Sequence, residues 1–143
     1  MRNLLLYLYS FMSLMTSFAF AEGNPLKPFL WDYRVILVSA SPDGVEDRVA
    51  ELVRAQASID DRHILWFVID GESVATNHEQ PLAKGFQPAV LKRFFAVQNG
   101  DKTQVRLIGK DGGVKAKVEE LNLEKLFELI DSMPMRQAEM RKG

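Results

Sequence analysis

Two uninterrupted apolar runs constrain this chain more than any other feature. Val35-Ile36-Leu37-Val38 and Ile64-Leu65-Trp66-Phe67-Val68-Ile69 are short and lack the alternation of a strand with one wet face. Such runs mark strands covered on both faces, which requires a sheet with helices on either side. Ser41-Pro42-Asp43-Gly44 breaks the first run, and Val45, Val49, Leu52, Val53 and Ile59 then recur at helical spacing. Asp43, with Glu46 three residues on, predicts a capping box at the start of that helix. Strand, helix, strand is a βαβ unit, whose crossover is right-handed.

The rest of the chain extends this unit. Residues 71–86 read as a polar loop, with Asn77, Pro81 and Gly85. Pro88 suits a first helical turn, Val90, Leu91, Phe94 and Phe95 supply a buried face, and Asn99-Gly100 ends the helix or starts a turn. Gln104 to Ile108 reads as a strand, Lys110-Asp111-Gly112-Gly113 as a hairpin turn, and Val114-Lys115-Ala116-Lys117-Val118 as an antiparallel edge strand guarded by lysines. Asn122 is placed to cap a last core helix, with Leu121 and Leu126 as its hydrophobic staple and Leu123, Leu126, Phe127 and Ile130 as its buried stripe. Pro134 stops or kinks that helix.

The order β-α-β-α-β-β-α predicts an α/β thioredoxin-like fold: a mixed sheet with a C-terminal helical tail. The expected divisions are an extended lead-in at 22–34, whose Phe29-Leu30-Trp31 tucks against the domain, the domain proper at 35–133, and a tail at 134–143.

Residues 1–21 are expected to be a secretory signal peptide. Arg2 supplies a positive start, Leu4 to Phe20 carry no charge, and Ala19-Phe20-Ala21 fits the small-x-small cleavage pattern. The competing reading is an uncleaved anchor, but Ser10, Ser13, Thr16 and Ser17 dilute a run at the short limit for spanning a bilayer. The chain is therefore expected to be exported, periplasmic or secreted, and to meet the membrane only through this leader. After its removal 17 basic and 19 acidic side chains remain, without a basic stripe, which argues against nucleic acid as a partner. There is no cysteine, so packing alone must hold the fold and thiol chemistry is excluded.

Few residues stand out as candidates for a site. Ser41 and Asp43 sit at the start of the first helix, where the dipole favours an anion; Asp43, Glu46 and Asp47 crowd it with like charge. Arg106, between Val105 and Leu107 in a strand, is expected to pair with an acid such as Asp32 or Asp43. In the tail, Met133, Met135 and Met140 lie among Arg136, Arg141 and Lys142; Met135, Arg136 and Met140 are candidates for docking a partner or an anionic surface, against packing back on the core. His63 and His78, far apart in sequence and with no cysteine beside them, predict no zinc site. His78 and Glu79 with Asp70 and Glu72 could make a hydrolytic or metal-binding cluster, and Ser39 or Ser41 with a histidine and an acid a nucleophile triad only by coincidence; a solvated loop is the plainer reading. No cofactor is expected.

Leu107 to Lys115, the run Leu126 to Arg141 around Met133-Pro134-Met135-Arg136, and the opening Phe29-Leu30-Trp31 with Tyr33-Arg34-Val35 resemble a bacterial family of domains of unknown function. The resemblance spans nearly all of residues 26–141. Related domains, described as peroxiredoxin-like, occur in extracellular animal proteins such as equarin and the sushi-repeat-containing proteins. The resemblance implies a thioredoxin-like fold and no activity. Redox members place a nucleophilic thiol just after the first core strand. Here Ser39-Ala40-Ser41-Pro42-Asp43-Gly44 stands there, and Gly100-Asp101-Lys102-Thr103 replaces the proline that precedes their third core strand. A serine hydroxyl is far less acidic than a thiol and has no disulfide to exchange. The expected role is a non-catalytic interaction module with a protein partner in the envelope or outside the cell. The alternative is a cysteine-independent enzyme, hydrolase-like, using the 71–86 loop.

Overall fold

The computed structural model describes residues 23–96 and 102–143. The expected leader, the Asn99-Gly100 helix end and part of the Gly100-Thr103 stretch lie outside them. Both apolar runs form strands: β1 (Arg34–Ser39) and β2 (Ile64–Ile69) lie parallel, with Arg34 opposite Ile64 and Ser39 opposite Ile69. Two further elements match the expectations closely. β4 (Gln104–Ile108) runs antiparallel to β1, and β5 (Val114–Val118) runs antiparallel to β4 at the sheet edge. The polar loop contains an element the sequence did not announce, a short strand β3 (Val74–Thr76) antiparallel to β2. The five strands stand in the order β3-β2-β1-β4-β5.

Strand periodicity divides the apolar side chains between two faces. Ile36, Val38, Trp66, Val68, Val105 and Leu107 face one core, covered by α1 (Val45–Arg54), α2 (Gln56–Asp61) and α4 (Leu123–Asp131) through Leu52, Ile59, Leu126 and Ile130. Val35, Leu37, Phe67, Ile69 and Ile108 face the other, covered by α3 (Phe86–Phe94) through Phe86 and Val90 and by Leu26 and Phe29 from the lead-in. Helices therefore sandwich the sheet, as the continuous apolar runs require. No helix among the described residues is long and apolar enough to cross a membrane.

Local chemistry explains where elements begin and end. The Asn122 side chain accepts from Lys125 N at 3.1 Å and caps α4, while Leu121 and Leu126 are both buried beside it. In the β4–β5 turn Gly112 has φ +84° and lies against Leu30; a β-carbon there would stand 3.1 Å from Leu30 Cδ2. The predicted capping box is absent. Asp43 belongs to a 3-10 turn at Pro42–Gly44, and Gly44 precedes α1 with no side-chain cap. The single helix expected to reach Ile59 is broken at Ala55 into α1 and α2. The β5 alternation buries less than expected, since Val114 and Val118 stay exposed and only Ala116 packs on the core. Leu26 and Phe29 bury as the lead-in should, but Trp31 is 65 % exposed. Beyond Pro134 the chain forms a further helix, α5 (Pro134–Lys142).

Candidate functional site

β1 and β2 start side by side, and the chemistry of the molecule collects at that end. Arg34, the first residue of β1, is 1 % exposed. A buried guanidinium must be paired. Its Nη1 donates to the Arg62 carbonyl at 2.9 Å, and its fork meets the Glu139 carboxylate at 3.1 and 3.3 Å. Lys110, from the β4–β5 turn and also buried, donates to the same carboxylate at 2.6 Å. Burial alone would push Glu139 up, but Lys110 and Arg34 hold its pKa down to about 2.

A second ionic layer lies beside this one. Arg62 forks onto Asp131 at 3.0 and 2.8 Å and covers the Phe127 ring. Arg136, buried on α5, reaches Asp131 at 3.1 Å, the Asp61 carbonyl at 2.8 Å and the Asp61 carboxylate at 2.5 Å. The hydrogen bonds from Arg62 and then Arg136 hold Asp131 below the ordinary carboxylate range. These pairs fasten α5 to α2, α4 and the β1 end, so the tail packs back on the domain.

His63 joins the ionic layer to an open cleft. It sits at φ +51°, in the left-handed region that a non-glycine residue enters at a cost. The Lys110 ammonium lies 3.1 Å from His63 Nδ1, which makes Nδ1 the acceptor and places the ring proton on Nε2. A cleft of about 690 Å³ opens beside it, lined by Tyr33, Asp60, His63, Asn77, His78 and Glu79 among others. Asn77 is spent on structure, accepting from Trp66 N at 2.9 Å and donating to Ile64 O at 3.1 Å. The His78 ring stands edge-on to Phe29 at 5.0 Å, leaving its nitrogens without a described partner. Glu79 and Gln80 are exposed and equally uncommitted. The two histidines thus share one cleft, yet no group of three or more metal-ligating side chains forms among the described residues.

The residues singled out by sequence fall elsewhere. Ser41 is half-buried and Asp43 exposed, at the opposite end of β1, and neither makes a described side-chain hydrogen bond. Arg106 is not held by Asp32 or Asp43. Its Nε donates to Phe94 O at 3.1 Å, its other nitrogens to Val105 O and Gln104 Oε1, and it lies 5.0 Å from the Phe95 ring. It closes the carbonyl end of α3, where a cation is favoured, and burial pushes its pKa down. Arg136 is buried in the ionic layer, whereas Met135 and Met140 stay exposed. Asp70 turns its carboxylate onto Glu72 N, Ser73 N and Ser73 Oγ, beyond the far end of β2 from His78. About five residues at ~3.3 Å each separate those ends, so Ser41, Asp70 and His78 form no cluster.

The molecule is thus a cysteine-free α/β domain whose mixed sheet carries an ionic lock and a polar cleft at one end. It belongs to the family described as "Domain of unknown function (DUF4174)", whose model matches residues 25–139. Neither a curated protein nor a solved structure matches the chain.

Proposed function

We propose that this chain is an exported, thioredoxin-like domain that works by binding, with the cleft around His63 and His78 as its recognition face. The export reading rests on the charged start, apolar run and small-residue cleavage pattern of residues 1–21. The fold reading rests on the sequence β2-β1-β4-β5 across the sheet, a parallel pair followed by an antiparallel pair, with helices on both faces. In thiol enzymes of that class the loop after the first core strand holds the nucleophile; here it holds Ala40 to Gly44, and the chain contains no cysteine.

One observation carries the choice of face. The cleft holds hydrogen-bonding side chains that no internal partner uses, beside a histidine kept in a costly backbone conformation. Strained residues and unspent polar groups collect where a protein meets a ligand. The guest is a polar partner in the envelope or outside the cell.

A photo-crosslinker at Tyr33, compared with one at exposed Glu124 on α4, tests this in cells. The expected result is a discrete adduct from position 33 and none from position 124, with the recovered protein beginning at Glu22. Equal labelling from both positions, or turnover of a peroxide or disulfide by the pure protein, overturns the reading.

A further inference from the structure

A second concavity lies on the α3 side of the molecule, separated from the cleft by Phe29, whose ring stands 5.0 Å from His78 and 6.5 Å from Phe86. Its volume is about 730 Å³, within the roughly 300–1,000 Å³ of small-molecule sites. One wall is the lead-in, with Pro25 and Pro28. The other is α3, where Phe86, Ala89 and Arg93 fall at helical spacing along one stripe. The floor is therefore apolar.

The rim is cationic. Lys27 stands on the lead-in wall, with Lys84 and Arg93 on the other. Among the described residues no aspartate or glutamate lines this groove, although the whole chain carries one more acid than base. Lys27 and Lys84 are exposed and have no described carboxylate partner. Segregation of this kind sets a pattern of charge around an apolar trough, which complements a molecule with an anionic head and a hydrocarbon tail. A concave trough also suits a single chain better than the flat face of a bilayer.

We infer that this groove binds a single-chain anionic amphiphile, its tail between Pro28 and Ala89 and its head among Lys27, Lys84 and Arg93. This site is independent of the cleft reading. Apolar contact supplies affinity and the three cations supply selectivity for a negative head; a carboxylate head is matched best by the Arg93 fork.

Titration of the purified protein with laurate, followed by amide chemical shifts, tests this. Saturable shifts confined to residues 25–28 and 83–93 are expected, weakening as salt is raised. Dodecyl maltoside, with a tail of nearly the same length and a neutral head, should bind at least about tenfold more weakly, because it gives the three cations no charge to meet. The triple variant K27E/K84E/R93E touches only exposed side chains and should fold, while losing the laurate shifts. Ala89→Trp fills the trough without altering charge and should also abolish them. Laurate shifts spread over the whole surface, equal binding of the two detergents, or unchanged binding in Ala89→Trp overturns the proposal. So does sedimentation with anionic phospholipid vesicles that free laurate fails to compete.

Discussion

The two ends of β1 are built on opposite principles. At the carboxyl end, Ser41 and the Pro42–Gly44 turn make few side-chain commitments, and the neighbouring Asp70 satisfies itself within its own turn. At the amino end, Arg34 and Lys110 are buried, Glu139 comes from the far end of the chain to meet them, and Trp31 and His63 hold left-handed backbone. The proposed thioredoxin-like fold would direct attention to the first end, after the first core strand. In this chain the costly features stand at the second, and cost is the better guide to where structure constrains function.

Removing a buried charge should give the largest effect. Arg34→Ala leaves the Arg62 carbonyl without its donor, leaves Glu139 to Lys110, and opens space in the lock. A loss of roughly 3–5 kcal/mol is expected in urea unfolding, as for a broken buried pair. Ser41→Ala at the other end should stay within about 0.5 kcal/mol. Equal costs at both ends would break the comparison outright.

Acid should act on the same lock. Glu139 is held at about 2 when folded, against an ordinary value near 4.5. A depressed carboxylate contributes stability that is fully present above the unfolded value and is lost as pH falls through the folded one. The window is therefore from about pH 4.5 down to about pH 2, and the loss about 2–3 kcal/mol. Glu139→Gln should be less stable at pH 7 and should lack this part of the acid slope. A wild-type slope unchanged by the substitution would remove Glu139 from the lock.

These two effects also show what a sequence can and cannot display. Buried strands were legible because Val35–Val38 and Ile64–Ile69 have one meaning at that length, and the α4 cap because Asn122 acts on a residue three places away. The ion pairs were not: Arg34 and Glu139 are separated by 105 residues, and nothing local to either marks the other. Arg34 did carry one sign, a charge abutting a run buried on both faces, where it must either end the strand or be paired. Arg106 misled for a related reason. A guanidinium in a strand needs acceptors, but carbonyls at the end of α3 serve as well as a carboxylate. The strand β3 stayed hidden because its edge pairing is satisfied by backbone and Asn77, not by an apolar pattern. The histidines met in one cleft only through the β2–β3 pairing.

A smaller effect calibrates the scale between these extremes. Asn122→Ala removes one side-chain bond to the Lys125 amide and leaves the core intact, so thermal unfolding should report a loss of about 1 kcal/mol. It belongs to neither end of β1, and its effect should be independent of pH across the window in which Glu139 titrates.

The smallest predicted effect bears most directly on strain at the amino end. Trp31 is at φ +71° and largely exposed, its amide donating to Lys110 O at 2.7 Å. Trp31→Gly relieves a left-handed cost of about 1–2 kcal/mol against about 0.5–1 kcal/mol of added unfolded-chain entropy, and loss of the ring's remaining packing offsets the difference, so its net effect on stability should be near zero. Trp31→Ala loses the same exposed ring but keeps the strain. The glycine variant should therefore be more stable than the alanine variant by about 1 kcal/mol in parallel urea titrations. Equal stabilities would mean that the backbone here bears no strain, and the case for this end as the constrained one would then rest on the buried charges alone.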